Sequence, residues 1–121
     1  MGIRVFIADD HPMTRAGLLA TLEREQDFEI VGSASDGTQA WQAMLEKVPD
    51  VALVDIRMPG EDGVSLVRRV KDSGLPIRSL MLTSYDAQQY VMASLRAGAK
   101  GYILKTASPE ELARAIRTVA R

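Results

Sequence analysis

The chain has 121 residues, 46% of them hydrophobic and 26% charged, which suits one domain with its own apolar core. A formal net charge of -1 excludes attraction of DNA or an anionic membrane by a global field, and the lack of cysteine excludes disulfides, thiolate metal sites and a thiol nucleophile. No apolar run is long enough to span a bilayer and no basic-then-apolar leader follows Met1, so the expected location is the cytoplasm.

Taken in order, two periodicities alternate along the chain. Ile3 to Ala8 reads as a strand that is mostly apolar on both faces and stops at the acidic pair Asp9-Asp10. After His11-Pro12, the segment Met13 to Arg24 puts Ala16, Leu19 and Leu22 on one helical stripe, with Pro12 suited to the first turn. Phe28 to Ala34 is a weaker strand punctuated by Asp36-Gly37, and Thr38 to Lys47 returns to helical spacing until Pro49 stops it. Val51 to Asp55 is an apolar, β-branched run that ends in one carboxylate and passes into the turn Met58-Pro59-Gly60. Val64 to Lys71 is a third helix, broken by Gly74-Leu75-Pro76, and Ile77 to Thr83 is a fourth strand. Ala87 to Arg96 predicts a fourth helix closed by Gly98, and Gly101 to Leu104 a short fifth strand that runs into Lys105. Ser108 as N-cap, Pro109 at the first helical position and Glu110-Glu111 in the first turn open a last helix, whose apolar stripe covers Leu112 to Val119. Five strand–helix units in strict alternation predict a single doubly wound, five-stranded parallel α/β sheet with helices on both faces.

The strand ends carry the chemistry. In a parallel sheet the carboxyl ends of the strands share one edge, so Asp9, Asp10, Asp55, Thr83 and Lys105 are expected to converge although they lie far apart in sequence. Carboxylates packed together raise one another's pKa unless a cation neutralises them, and a hard divalent ion, Mg²⁺ or Mn²⁺ in its place, is the natural solution. A carboxylate nucleophile at Asp55, such a metal pocket, and an ammonium and a hydroxyl aimed at the transferring group are the parts of in-line phosphoryl transfer through an aspartyl-phosphate. No Gly-rich phosphate loop or GxGxxG fingerprint follows any strand, so the phosphoryl group must come from a donor protein or a small phosphodonor.

These residues carry a resemblance. Asp9-Asp10, Asp55 ahead of Met58-Pro59-Gly60 and Asp62-Gly63, Leu82-Thr83-Ser84, and Gly101-Tyr102-Ile103-Leu104-Lys105 occur in the order seen in receiver domains of bacterial two-component response regulators, which the chain resembles over essentially its full length. The resemblance implies a flavodoxin-like strand order 2-1-3-4-5 and phosphorylation of Asp55 by a sensor histidine kinase. It further implies metal ligation by Asp10, Asp9, Asp55 and the main-chain carbonyl of Arg57, phosphoryl contacts from Thr83 and Lys105, and a switch role for Thr83 with Tyr102. Asp-His-Pro after the first strand, Asp-Ile-Arg-Met-Pro-Gly and Ala-Ser-Pro-Glu-Glu-Leu look like the NarL/FixJ subfamily. Members of that group usually carry a LuxR-type helix-turn-helix, so a DNA-binding output domain is expected after Arg121 in the full-length protein, and DNA contact only through it. Thr106 stands where many receivers have a proline after the lysine, so no cis linkage is expected there.

Other readings stand beside these. Asp9-Asp10 could simply cap the first helix; His11, the only histidine, invites a metal or acid–base role but next to Pro12 reads as part of the helix entry; Trp41, Met44, Met81 and Met92 read as core or interface packing residues. Arg57 and Tyr85 flank the approach to the phosphate. Homodimer contacts on activation are expected on the fourth helix, fifth strand and fifth helix, with the face of Ala113, Ile116 and Arg117 as an alternative. The rival function is a metal-dependent aspartyl-phosphate phosphatase or phosphotransferase; that class places a second acid just beyond its nucleophile, where this chain has Arg57, and carries a cap domain for which no segment is left.

Overall fold

A strand covered on both faces must be apolar at nearly every position, and its successive side chains then feed two separate cores. The computed structural model, which describes residues 2–121, has this arrangement. Strands β1 (Ile3–Ala8), β2 (Phe28–Ala34), β3 (Val51–Asp55), β4 (Arg78–Thr83) and β5 (Gly101–Leu104) form one parallel sheet in the order β2-β1-β3-β4-β5. Val5, Ile7, Val51, Leu53, Leu80 and Leu82 point to one face, where α1 (Pro12–Glu23) and α5 (Pro109–Ala120) cover them with Leu22, Leu112, Ala113 and Ile116. The alternate residues Phe6, Ala8, Ala52, Val54 and Met81 meet α2 (Gly37–Lys47), α3 (Gly63–Ser73) and α4 (Val91–Ala97) through Ala40, Met44, Leu66, Val70 and Val91. The chain leaves β1 to one side for β2 and returns to its other side for β3, so the crevice at the switch point opens between the carboxyl ends of β1 and β3.

Local chemistry sets the element ends. Asp36 and Asp62 cap α2 and α3 by accepting from the Gln39 and Ser65 N–H groups at 2.7 and 2.8 Å. Ser108 and Glu111 close a reciprocal capping box on α5. Two glycines let the loop after β3 pack close: a Cβ on Gly37 would stand 1.7 Å from the Glu61 carbonyl oxygen, and one on Gly63 2.2 Å from that of Asp55. Gly63 thereby fixes the start of α3 directly under the acid. Within β2 the register against β1 slips by one residue at Val5/Phe6, and Gly32 leaves room for the Phe6 ring.

Two expectations change. The fourth helix does not run as one α-helix from Ala87: Tyr85–Tyr90 is a 3₁₀ segment and α4 begins only at Val91. Of the six 3₁₀ residues Ala87 alone is buried, so no apolar stripe selects the 3.6-residue period there. The face of Ala113, Ile116 and Arg117 is not available for pairing, because Ala113 and Ile116 lie in the core. Arg117 is engaged within the chain, binding Asp27 with Nε and Nη2 at 2.8 Å each and Glu25 at 2.5 Å, with its guanidinium over the Phe28 ring. Of the packing residues, Met44 and Met81 are in the core, Trp41 packs at its edge under Arg69, and Met92 is exposed. The Lys105–Thr106 peptide is trans, as expected.

Candidate functional site

The parallel order delivers the acids of β1 and β3 and the lysine after β5 to one edge, where they form a single cluster. Lys105 Nζ donates to Asp55 Oδ2 at 2.9 Å and stands 3.4 Å from Asp9 Oδ2. Asp55 Oδ1 accepts from the Arg57 N–H at 3.3 Å, which orients the carboxylate. Asp9 Oδ1 accepts from the His11 N–H at 2.8 Å, and the Asp9 carbonyl accepts from Arg15 Nη1 at 2.8 Å. A cleft of about 380 Å³, lined by Asp10, His11, Asp55, Arg57, Met58, Ser84, Asp86, Ala87 and Lys105, opens over these groups. A larger cleft of about 630 Å³ lies at the amino-terminal edge of the sheet, near Lys71, Arg78 and Lys100, and contains none of the clustered acids.

The electrostatics are unbalanced. Burial pushes the Asp55 carboxyl up to about 6; Lys105 pulls it down, and the neighbouring Asp9 charge adds to the rise. For Lys105 burial works against the ammonium, but Asp55 and Asp9 outweigh it and hold its pKa above the ordinary lysine value. One ammonium serves the acids, and it does not satisfy them: Asp9 Oδ2 and Asp10 Oδ1 are buried oxygens without a hydrogen-bond partner. One donor atom from each of Asp9, Asp10, His11 and Asp55 falls within 4.8 Å of all the others. Orphaned carboxylate oxygens grouped at that spacing fit a hard divalent cation of the Mg²⁺ kind.

The structure brings Asp9, Asp10, Asp55 and Lys105 together, with the Arg57 main chain alongside. Thr83 is at the same edge but turned away: its side chain is buried and its hydroxyl donates to the Ser84 carbonyl at 3.1 Å. Tyr102 sits on the outer face of β5, about half exposed. Asp9-Asp10 do not form a side-chain cap on α1, since His11 holds the N-cap position and the Asp9 carboxylate serves the His11 N–H. His11 itself is more than helix entry. Its Nδ1 lies 3.2 Å from Asp9 Oδ1, 3.2 Å from Asp10 Oδ1 and 3.3 Å from Lys105 Nζ, inside the cluster. Asp86 is not flagged by the sequence, and Ser84 appears there only within the Leu82-Thr83-Ser84 motif. Asp86 accepts from the Ser84 hydroxyl and pairs with Arg57 Nη1 at 3.3 Å, and Arg57 also rests over the Tyr90 ring, closing one side of the cleft. The sequence offers His11 a metal or acid–base role as its only histidine, and its adjacency to Asp10 is the further signal for the ring's place among the acids.

A doubly wound sheet with an acid at the end of its third strand, a pair of acids after the first and a lysine after the fifth defines an α/β domain whose ionisable groups gather at the carboxyl edge of the sheet. The sequence profile of the response regulator receiver domain matches residues 5–117, and the chain belongs to that family. It is 44% identical over 118 residues to the oxygen regulatory protein NreC of Staphylococcus aureus; the match takes in 97% of this chain and 54% of NreC, so the chain spans about half the length of the curated relatives it matches. Among solved structures it superposes on the signal receiver domain of the putative response regulator NarL from Mycobacterium tuberculosis with a TM-score of 0.94 at 36% identity, covering 98% of this chain and 96% of that one. A LuxR-family DNA-binding response regulator from Staphylococcus aureus gives 0.92 at 28% identity, over 98% and 99% of the two chains. The domain is thus a receiver of the NarL/LuxR type, a class that implies phosphorylation-dependent signalling. No described helix is long and apolar enough to cross a membrane.

Proposed function

We propose that Asp55 accepts a phosphoryl group from a sensor histidine kinase and that the resulting aspartyl-phosphate controls a transcriptional output carried by the longer protein. The observation that carries this reading is the Asp55 carboxylate held at 2.9 Å by Lys105 beside two orphaned acid oxygens. Asp9, Asp10, Asp55 and the Arg57 main-chain carbonyl would hold Mg²⁺, which when bound neutralises charge on the acids and on the phosphoryl oxygens. Above a pH of about 6 Asp55 is ionised and can act as the nucleophile. One of its oxygens attacks phosphorus, the bond from phosphorus to the donor's imidazole nitrogen breaks, and the electron pair leaves with that nitrogen. Lys105 keeps its proton throughout, so its ammonium can pass from the Asp55 carboxylate to a phosphoryl oxygen.

The phosphoryl group brings about -1.5 to -2 charges and three acceptor oxygens to Asp55. Thr83 reaches one of them only by giving up its bond to the Ser84 carbonyl, and the space it vacates is what Tyr102 would enter from its exposed position. Two arrangements of β4, β5 and the 3₁₀ segment then differ by the bonds made to phosphate, which is enough to shift their populations. The exposed Met92 on α4 and Tyr102 on β5, with Tyr90 just ahead of α4, support the α4–β5–α5 face as the surface for homodimer contacts on activation. Incubation with Mg²⁺ and a small phosphodonor should add one phosphoryl mass to the protein and none to Asp55→Asn. Rapid turnover of unrelated phosphate esters without labelling would instead support the phosphatase reading and overturn this one.

A further inference from the structure

We infer that His11 is a nitrogen ligand of the divalent-cation site and makes the site favour borderline transition ions such as Ni²⁺ over Mg²⁺. The inference rests on the cation site proposed above and deepens it. The distances carry it: with bonds of about 2.1 Å, neighbouring donors on an octahedral ion stand about 3.0 Å apart. His11 Nδ1 is 3.2 Å from Asp9 Oδ1 and 3.2 Å from Asp10 Oδ1, close to the edge lengths of such a polyhedron, and 3.7 Å from Asp55 Oδ2.

The hydrogen-bonding demands on Nδ1 point the same way. An ammonium can only donate, so the contact with Lys105 Nζ at 3.3 Å requires a lone pair on Nδ1. The two carboxylate oxygens can only accept, so their contacts require a hydrogen on the same atom. One nitrogen cannot meet both. A cation seated between Nδ1 and the carboxylates takes the lone pair of Nδ1 and replaces both acceptor–acceptor contacts by metal bonds, one of them to the buried, otherwise unpartnered Asp10 Oδ1. Imidazole nitrogen binds Ni²⁺ and its neighbours in preference to Mg²⁺, which favours oxygen. The exposed ring, on an N-cap residue whose side chain makes no capping bond, is free to make the small adjustment that bonding requires.

His11 is the only histidine of the chain, so a spectroscopic imidazole signal on a bound ion can come from no other residue. Tag-free protein and His11→Ala are titrated with Mg²⁺ and Ni²⁺ by calorimetry, and bound Mn²⁺ is examined by pulsed EPR for coupling to imidazole ¹⁴N. Loss of partners one shell further out already lowers metal affinity about 10–100-fold, so His11→Ala should lose at least about tenfold in Ni²⁺ affinity. Its Mg²⁺ affinity should change by less than about threefold, since Mg²⁺ binds through oxygen. The ¹⁴N coupling should be present in the parent and absent in the variant. Mn²⁺ bound without ¹⁴N coupling, or a variant that binds both ions as well as or better than the parent, overturns the role of His11 while leaving the acidic site standing. Absence of Mg²⁺ binding in the parent, or full binding by Asp10→Asn, would instead remove the site itself.

Discussion

Replacing Asp55 by Asn isolates the electrostatic load that the acidic site carries without a cation. The carboxyl is raised from its ordinary 3.8 to about 6, chiefly by burial and against the pull of Lys105. At about 1.36 kcal/mol for each pKa unit, the gap is equivalent to about 3 kcal/mol. Between those two values the folded chain holds a proton that the unfolded chain has released, so this contribution is fully present below the lower value and is lost as pH rises through the upper one. Asn keeps the shape without the charge, and its amide oxygen can still accept from the Arg57 N–H or Lys105. In divalent-free buffer near neutral pH, urea unfolding should therefore show Asp55→Asn more stable by about 3 kcal/mol, a midpoint shift of about 1.5 M at a slope near 2 kcal/mol/M. The difference should shrink toward zero as the pH approaches the ordinary carboxylate value. Mg²⁺ at about 100 times its Kd should recover about 2.7 kcal/mol in the parent, and far less in the variant. A variant no more stable than the parent at neutral pH, or a gain that persists undiminished in acid, would refute the account.

Three further outcomes follow from the same geometry. Lys105→Met leaves the Asp9 and Asp55 carboxylates without their ammonium; breaking a buried pair costs about 3–5 kcal/mol, the lower end applying to a partly hydrated lysine, and carboxyl NMR titration should place Asp55 above 6. Gly63→Ala drives a methyl group into the Asp55 carbonyl, so urea unfolding should show a loss of about 3 kcal/mol or more, together with reduced phosphorylation at saturating phosphodonor. Val48, a β-branched residue at φ 42° on the C-cap of α2, holds a left-handed conformation that Asn tolerates better. Val48→Asn should raise stability by about 1 kcal/mol, seen as an upward shift in thermal midpoint with phosphorylation unchanged.

The fold was legible to the extent that burial writes itself into composition. Residues 51–54 and 80–82 are apolar at alternate and intervening positions alike because both faces of the sheet are covered, and the strand ends then name the acids, the threonine and the lysine. Ser108, Pro109 and Glu111 announce α5 because a capping box is a local bargain between neighbours. Local rules gave out where a residue's role depends on something distant in the chain. The 3₁₀ course of Tyr85–Tyr90 lacks any periodic signal, and the bond between Arg57 and Asp86 spans two loops that meet only across the cleft. Arg117 reads as part of a pairing face with Ala113 and Ile116, but Asp27 and Glu25, about 90 positions away, hold it within the chain.

By itself, then, the sequence determined the alternation of elements, the two-faced sheet and the edge at which Asp9, Asp10, Asp55, Thr83 and Lys105 assemble, since hydrophobic period and strand polarity are properties of short segments. Tertiary structure alone decided that Lys105 lies on Asp55, that Thr83 faces its own backbone, and that His11 stands among the acids. Those contacts join residues up to 94 positions apart or depend on a side-chain rotation, and only the assembled packing selects among the directions each side chain could take.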